Sequence, residues 1–322
     1  MDRAVVRPRR VPSPVLVGVV LGVVLCAASA GCTASDERAD PAARAPGRAD
    51  PSVPPPLNAV PPAGEVTRLD LPIAAYLPTP EQRARQTAAE QVLIRACLGR
   101  LGLTYPTPAT ADTEPVLRSR TERRYGVGDP VEVAGWGFRP PGAAQAGDKP
   151  SAPALGRELE VALYGAAAAD GVPPAPTEGS DRPGPGCLGE ARFALGVDPA
   201  LERAALPSRL DVESFERSRA DPRVRRVLAL WSTCMRGKGF DYPDPLAAGG
   251  DPAWDTPVPS AREIAAATAT VACRAEHNVA GIWYAVDVAY QRQAIEREAA
   301  ALTRVRAARE NTVRKVAEVL GG

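Results

Sequence analysis

A chain of 322 residues with 45% hydrophobic and 24% charged side chains has room for one or two globular domains and an ordinary core. Its 39 basic and 38 acidic residues nearly cancel, and removing residues 1–31, with four arginines and one aspartate, turns the net charge of +1 into −2. Such a balance supplies no electrostatic drive toward nucleic acid, so no nucleic-acid partner is expected. The single histidine, His277, excludes sites that need two, including H-E-x-x-H peptidase centres and His-rich zinc sites.

At the N-terminus Arg3, Arg7, Arg9 and Arg10 precede an apolar run from Val15 to Leu25. That run suits a secretory signal and is too short for a membrane span of about 20 residues. Ser29-Ala30-Gly31-Cys32 resembles a bacterial lipobox, which implies lipidation of Cys32 and attachment to the extracytoplasmic face of the cell membrane. Two alternatives remain open: Ala28-Ser29-Ala30 reads as an A-x-A site that would release a secreted chain beginning at Gly31, and the signal could stay as an uncleaved anchor. Cysteine parity favours lipidation. Cys26 leaves with the signal, and a lipidated Cys32 leaves Cys97, Cys187, Cys234 and Cys273 as an even set for an oxidising compartment.

The domain reading is a signal over residues 1–31, a tether over 32–65, a first half over 66–205 and a second half over 206–322. From Thr33 to about Ala63 the chain is Asp, Ala, Arg, Pro and Gly with few large apolar residues, which predicts a disordered tether. Order is expected to begin with the apolar strip Leu69–Tyr76. Thr79-Pro80-Glu81-Gln82 then carries an N-cap, a Pro at N1 and a capping-box Gln, and predicts a helix to Leu101 with Gly102 as its stop. Shorter helical patterns lie around 131–134, 157–163 and 208–219. Asp221-Pro222 opens a helix through Trp231 to Gly237 or Gly239. Ser260-Ala261-Arg262-Glu263 is another capping box, opening a helical stretch almost to Gly321 with a break near Asn278-Val279-Ala280-Gly281. No period-2 run predicts a strand, so the fold class is mostly α, with long Pro/Gly-rich loops.

An internal duplication organises this pattern. Cys97-Leu-Gly-Arg-Leu-Gly-Leu-Thr-Tyr-Pro-Thr-Pro108 aligns without gaps on Cys234-Met-Arg-Gly-Lys-Gly-Phe-Asp-Tyr-Pro-Asp-Pro245. A fainter echo relates Cys187-Leu-Gly-Glu190 to Cys273-Arg-Ala-Glu276. Repeats imply a duplicated unit, and among three connectivities the duplication selects Cys97–Cys187 with Cys234–Cys273.

The lipobox-like start, together with Trp231-Ser-Thr-Cys-Met-Arg-Gly-Lys-Gly-Phe-Asp-Tyr-Pro-Asp-Pro245, Arg124-Tyr-Gly, Gly135-Trp-Gly-Phe and Gly186-Cys187, resembles uncharacterised actinobacterial lipoproteins and secreted proteins over roughly residues 70–320. The resemblance implies no activity and no functional residues.

Chemistry is sparse. A literal G-x-G-x-x-G, Gly184-Pro-Gly186-Cys-Leu-Gly189, follows a Pro/Gly-rich stretch where dinucleotide binding needs a strand. No G-x-S-x-G supports a triad with His277, and no C-x-x-C supports thioredoxin-type redox chemistry. The sequence therefore implies no cofactor, no metal and no catalytic residue, and leans away from an enzyme. Candidate binding residues are Tyr105 and Tyr242 of the paired Tyr-Pro turns and the loop tryptophans Trp136 and Trp254, whereas Trp231 and Trp283 read as core. The arginines of Arg118–Arg124 could bind phosphate or wall polymer. The expected role is a lipid-anchored binding or scaffold protein of the cell envelope, with an envelope protein or wall polymer as partner. The alternative is an exported cell-wall glycoside hydrolase using paired carboxylates, which need only stand about 5–10 Å apart in space.

Overall fold

The computed structural model describes residues 53–105, 119–141, 155–166 and 185–321. The signal segment, Cys32, the tether up to residue 52, the Pro106–Pro108 end of the first repeat motif, Arg118 and most of the Pro/Gly-rich loop before Cys187 lie outside these residues. The described residues belong to one compact unit, and the regular structure among them is helical.

The expected caps and breakers place the helices. Helix α1, Pro80–Arg100, carries the full Thr79/Gln82 capping box: Gln82 N–H donates to Thr79 Oγ1 and Thr79 N–H to the Gln82 amide oxygen. Helices α2 (Pro130–Trp136), α3 (Arg157–Tyr164) and α4 (Gly186–Ala194) follow. Then come α5 (Pro199–Ala204), α6 (Leu206–Ala220) and α7 (Pro222–Gly237). Helix α8 (Pro245–Gly249) leads to α9 (Ala261–Glu276), α10 (Val279–Arg297) and α11 (Ala299–Leu320). The long C-terminal stretch thus breaks twice. Asn278 takes a left-handed φ of 48°, and Glu298 leaves helical geometry at φ −104°, ψ 17°.

Both disulfides have the expected pairing. Cys97–Cys187 ties α1 to α4 across 90 residues, and Cys234–Cys273 ties α7 to α9 across 39. The first half of each repeat is structurally the same. Leu103 N–H reaches back to Leu98 O as Phe240 N–H does to Met235 O, and Leu101 N–H bonds Leu98 O as Lys238 N–H bonds Met235 O. Gly102 and Gly239 take φ of 72° and 86° at equivalent positions, and Leu98 and Met235 are both fully buried. The fainter echo is not a structural equivalence. Cys187 lies in the first turn of α4, whereas Cys273 lies in the last turn of α9.

The main core gathers Trp231 of α7, Trp283 and Val286 of α10, and Tyr125, Val133 and Phe138 from the 119–139 segment. Residues from both halves therefore share one interior. A smaller cluster around Cys97, Cys187, Leu98 and Leu163 surrounds the other disulfide.

The tether expectation needs correction for its last part. Pro55 is buried and its carbonyl accepts from Arg223. Leu57 and Ala63 pack on the main core, and Pro61 O accepts from Asn278 Nδ2 at 3.1 Å. Val66 is fully buried in the same core. Prolines replace large apolar side chains in composition counts, yet they cost little chain entropy and leave carbonyls free to accept. The Leu69–Tyr76 strip lies across the body as expected. Leu71, Ile73 and Leu77 are buried against α6, α10 and α11.

Candidate functional site

A groove of about 290 Å³ opens between four chain segments: Tyr76–Pro78, the first turns of α1, the α4–α6 connection and α11. The segments converge for identifiable reasons. The Thr79 cap starts α1 immediately after Pro78. The carbonyls of Leu77 and Ala75 accept from the Arg309 guanidinium on α11, the former at 2.7 Å. Arg306 lies over the Tyr76 ring at 4.6 Å. Ala205, at φ 42°, turns the chain from α5 into α6, and Thr312 on α11 donates to Gly196 O.

The groove walls are mainly apolar, formed by Leu77, Pro78, Val197, Leu201, Ala205, Pro207, Val305, Ala308 and Val316. Its acids are committed. Asp198 accepts from the N–H groups of Ala200 and Leu201 as the α5 N-cap, and Glu202 pairs with Arg192 at 3.4 Å. The cations differ: Arg309 is spent on backbone carbonyls, with no acid partner among the described residues, and Arg85 stands exposed on the α1 wall.

The candidate residues named from sequence do not converge on this groove. Tyr105 packs partly buried beside the Cys97–Cys187 cluster. Tyr242 packs on the main core and donates its hydroxyl to Asp251, and its pKa rises to about 12 through burial and that carboxylate. Trp254 is corrected from binding candidate to core residue: it is buried, stacks on Phe138 at 6.0 Å and donates Nε1–H to Ala248 O at 2.7 Å. Its flanking Asp and Pro residues made a loop plausible, but they build a 3-10 turn that carries the indole inward. Trp136 stays 39% exposed at the end of α2, far in sequence from any groove residue. Trp231 and Trp283 are fully buried, as expected.

Of the arginine stretch, Arg120 is exposed and donates to Pro78 O at 3.3 Å, whereas Arg123 and Arg124 work inside the protein. Arg123 donates to the carbonyls of Phe138 and Arg139. Arg124 bonds Asp287 Oδ2 at 2.7 Å and Asp211 Oδ1 at 2.8 Å. Tyr125 donates to Asp287 at 2.8 Å, and Gln291 bridges Asp211, Asp287 and Ile73 N–H. Burial alone would lower the Arg124 pKa, but Asp287 and Asp211 outweigh it and hold the guanidinium charged. Asp211 and Asp287 are thus a close carboxylate pair, yet they clamp one arginine in the interior and line no part of the groove.

Two more buried charges are structural. Glu263 does not complete the Ser260 capping box with its side chain. Ser260 accepts from Glu263 N–H, while the carboxylate turns inward to accept from Phe138 N–H at 3.2 Å. Arg274 donates to Val127 O at 3.3 Å, and burial pushes its pKa down to about 10. A Cβ at Gly128 would stand 1.8 Å from Arg274 Nη1, so a side chain there would have to displace the buried guanidinium. Gly186 of the G-x-G-x-x-G string takes φ 69°, and a Cβ on it would stand 2.4 Å from Leu163 O. The glycine accommodates the end of α3.

Among the described residues no helix is long and apolar enough to cross a membrane. No family model matches the chain, and neither the curated proteins nor the solved structures contain a match.

Proposed function

We propose that this chain is an exported protein, lipid-anchored through Cys32 to the extracytoplasmic face of the cell membrane, that binds a single-chain anionic amphiphile in the α1–α11 groove. The observation that carries the reading is the groove itself: apolar walls, committed acids, and at its edge two guanidiniums without acid partners among the described residues, exposed Arg85 and carbonyl-bound Arg309. About 290 Å³ is at the small end of ligand sites and suits one acyl chain. Two formed disulfides support an oxidising compartment and use all four cysteines of the body, which leaves Cys32 as the thiol available for lipid. A resemblance to uncharacterised actinobacterial lipoproteins agrees with this address. The hydrolase alternative draws no support from the groove, because Asp198 and Glu202 are held in cap and ion pair.

Binding is tested with the mature chain and a fluorescent fatty acid. Ala308→Trp fills the groove and is expected to weaken binding by about tenfold or more. Arg85→Glu is expected to weaken the fatty acid more than its uncharged alcohol. Equal binding by wild type and Ala308→Trp rejects the groove. Mass spectrometry of the mature N-terminus tests the anchor separately: a diacylglyceryl-modified Cys32 supports it, and an unmodified Gly31 terminus rejects it.

A further inference from the structure

Cys273, Glu276 and His277 stand at i, i+3 and i+4 around the last turn of α9, so their side chains share one face. Cys234, near the end of α7, faces them and is bonded to Cys273. The Cys234 sulfur lies 3.5 Å from one Glu276 carboxylate oxygen. The other Glu276 oxygen lies 3.7 Å from His277 Nε2. A disulfide sulfur carries no proton, so the sulfur–carboxylate approach is not a hydrogen bond. Ligand atoms of Cys234, Glu276 and His277 all lie within 4.8 Å of one another, and the Cys273 sulfur adjoins them through its bond to Cys234.

The 3.5 and 3.7 Å approaches, made by different Glu276 oxygens, match the spacing of a coordination shell. Small rotations of Glu276 and the separated sulfurs would bring the rest of the set, now within 4.8 Å, to it. With zinc bonds of about 2.0 Å to N or O and about 2.3 Å to S, neighbouring ligand atoms of a tetrahedron stand about 3.3–3.8 Å apart. We propose that the chain with Cys234–Cys273 reduced binds one zinc ion through Cys234, Cys273, Glu276 and His277, and that the disulfide is the form that has released it. Two thiolates, one imidazole and one carboxylate are a borderline-soft set that favours zinc over the oxygen-seeking magnesium and calcium. A Cα–Cα distance of 5.8 Å lets side-chain rotation separate the two sulfurs while α7 and α9 stay packed through Trp231, whose Nε1–H donates to Thr270 O.

The chemistry balances by thiol–disulfide exchange. A dithiol gives up two electrons and becomes its own disulfide, its two protons pass to Cys234 and Cys273, and zinc then displaces both as it binds. In the reverse direction a disulfide oxidant takes the electron pair and two protons from solvent to become a dithiol, the two Zn–S bonds break as the Cys234–Cys273 bond forms, and the ion leaves. Cys234 is partly exposed and offers the point of attack, whereas Cys273 is fully buried. The oxidised chain keeps only Glu276 and His277 as ligands. Occupancy therefore follows redox state.

Cobalt(II) is the probe, added without oxygen to the mature full chain after reduction by a dithiol and its removal. The reduced chain is expected to show the intense visible bands of tetrahedral cobalt with thiolate charge-transfer bands, one ion per chain, discharged by zinc. The oxidised chain is expected to show neither. Cys234→Ser should abolish the signal, His277→Ala and Glu276→Gln should weaken binding by about tenfold or more, and Cys97→Ser with Cys187→Ser should retain it. The proposal is overturned if reduced and oxidised chains respond alike or if Cys234→Ser or His277→Ala leaves the bands unchanged. It is also overturned if the reduced chain loses its helical circular dichroism in the presence of zinc, since the ion should hold α7 to α9 as the disulfide does. None of these readouts depends on the groove.

Discussion

Single residues hold the N-terminal segment of the body in place. Gly281, in the first turn of α10, lies so close to Pro61 that a Cβ would stand 1.9 Å from the Pro61 carbonyl oxygen. The neighbouring Asn278 donates to that same oxygen. Gly281→Ala must push the segment off the helix and lose its packing, an overpacking cost of about 1–3 kcal/mol. Urea unfolding should register that loss, and limited proteolysis should cut residues 53–65 faster in the variant. Asp221 is the second case. Its carboxylate caps α7 through Arg223 N–H at 2.8 Å, chelates the Arg223 guanidinium and accepts from the Tyr290 hydroxyl at 3.1 Å. Burial works to raise its pKa, but the Arg223 bonds outweigh it and the net shift is downward. A carboxyl whose folded pKa is depressed binds fewer protons than the unfolded chain's, at about 3.9, so its stabilisation is present above that pH and fades as pH falls through the folded value. Asp221→Asn keeps the cap and removes the charge. Expected is a loss of about 1–3 kcal/mol near neutral pH, narrowing toward zero at acidic pH; a constant difference down to acid would contradict the charge assignment.

At the scale of elements, the two repeat motifs end their helices by one mechanism. Gly102 and Gly239 each take a positive φ, and neither has an atom within 4 Å of the place a Cβ would occupy. Substitution there meets backbone strain without a clash. Gly102→Ala and Gly239→Ala should therefore each cost about 1–2 kcal/mol in thermal unfolding, and by similar amounts. A large difference between them would show that the two turns are energetically unlike despite matching hydrogen bonds. The same scale shows why helix starts were legible. Thr79, Asp221 and Ser260 precede their helices and accept the expected backbone N–H bonds. A cap is a local event of three or four residues, visible in sequence without reference to the rest of the chain. The fate of Glu263 was not visible, because its partner Phe138 lies 125 residues away.

Across the whole molecule, the disulfides close loops of different length. The chain-entropy model gives about 4.6 kcal/mol for the 90-residue loop and about 3.9 kcal/mol for the 39-residue one. Replacing Cys97 and Cys187 by Ser should lower stability by several kcal/mol, and slightly more than the same change at Cys234 and Cys273. Paired denaturation curves would check the order. The Cys234–Cys273 bond crosses the main core, where Cys273 is fully buried beside Trp231 and Trp283, so a larger loss there would mean that packing outweighs loop length.

The amino-acid sequence by itself determined the helical class and most helix starts and stops. It also pointed to the cysteine pairing through the first motif of the duplication, although the second-cysteine echo proved not to be a structural equivalence. Each of these rests on local chemistry or on comparing the chain with itself. Tertiary structure alone decided the groove, whose walls come from Tyr76–Pro78, α1, the α4–α6 connection and α11, and no short motif can announce a surface assembled from four distant segments. It also decided that Trp254 and the Arg123–Arg124 pair face inward, since burial depends on what packs above a residue. For the same reason the tether ends earlier than its composition implies: Asn278 and Arg223 reach across more than 160 residues of sequence to bind the Pro61 and Pro55 carbonyls.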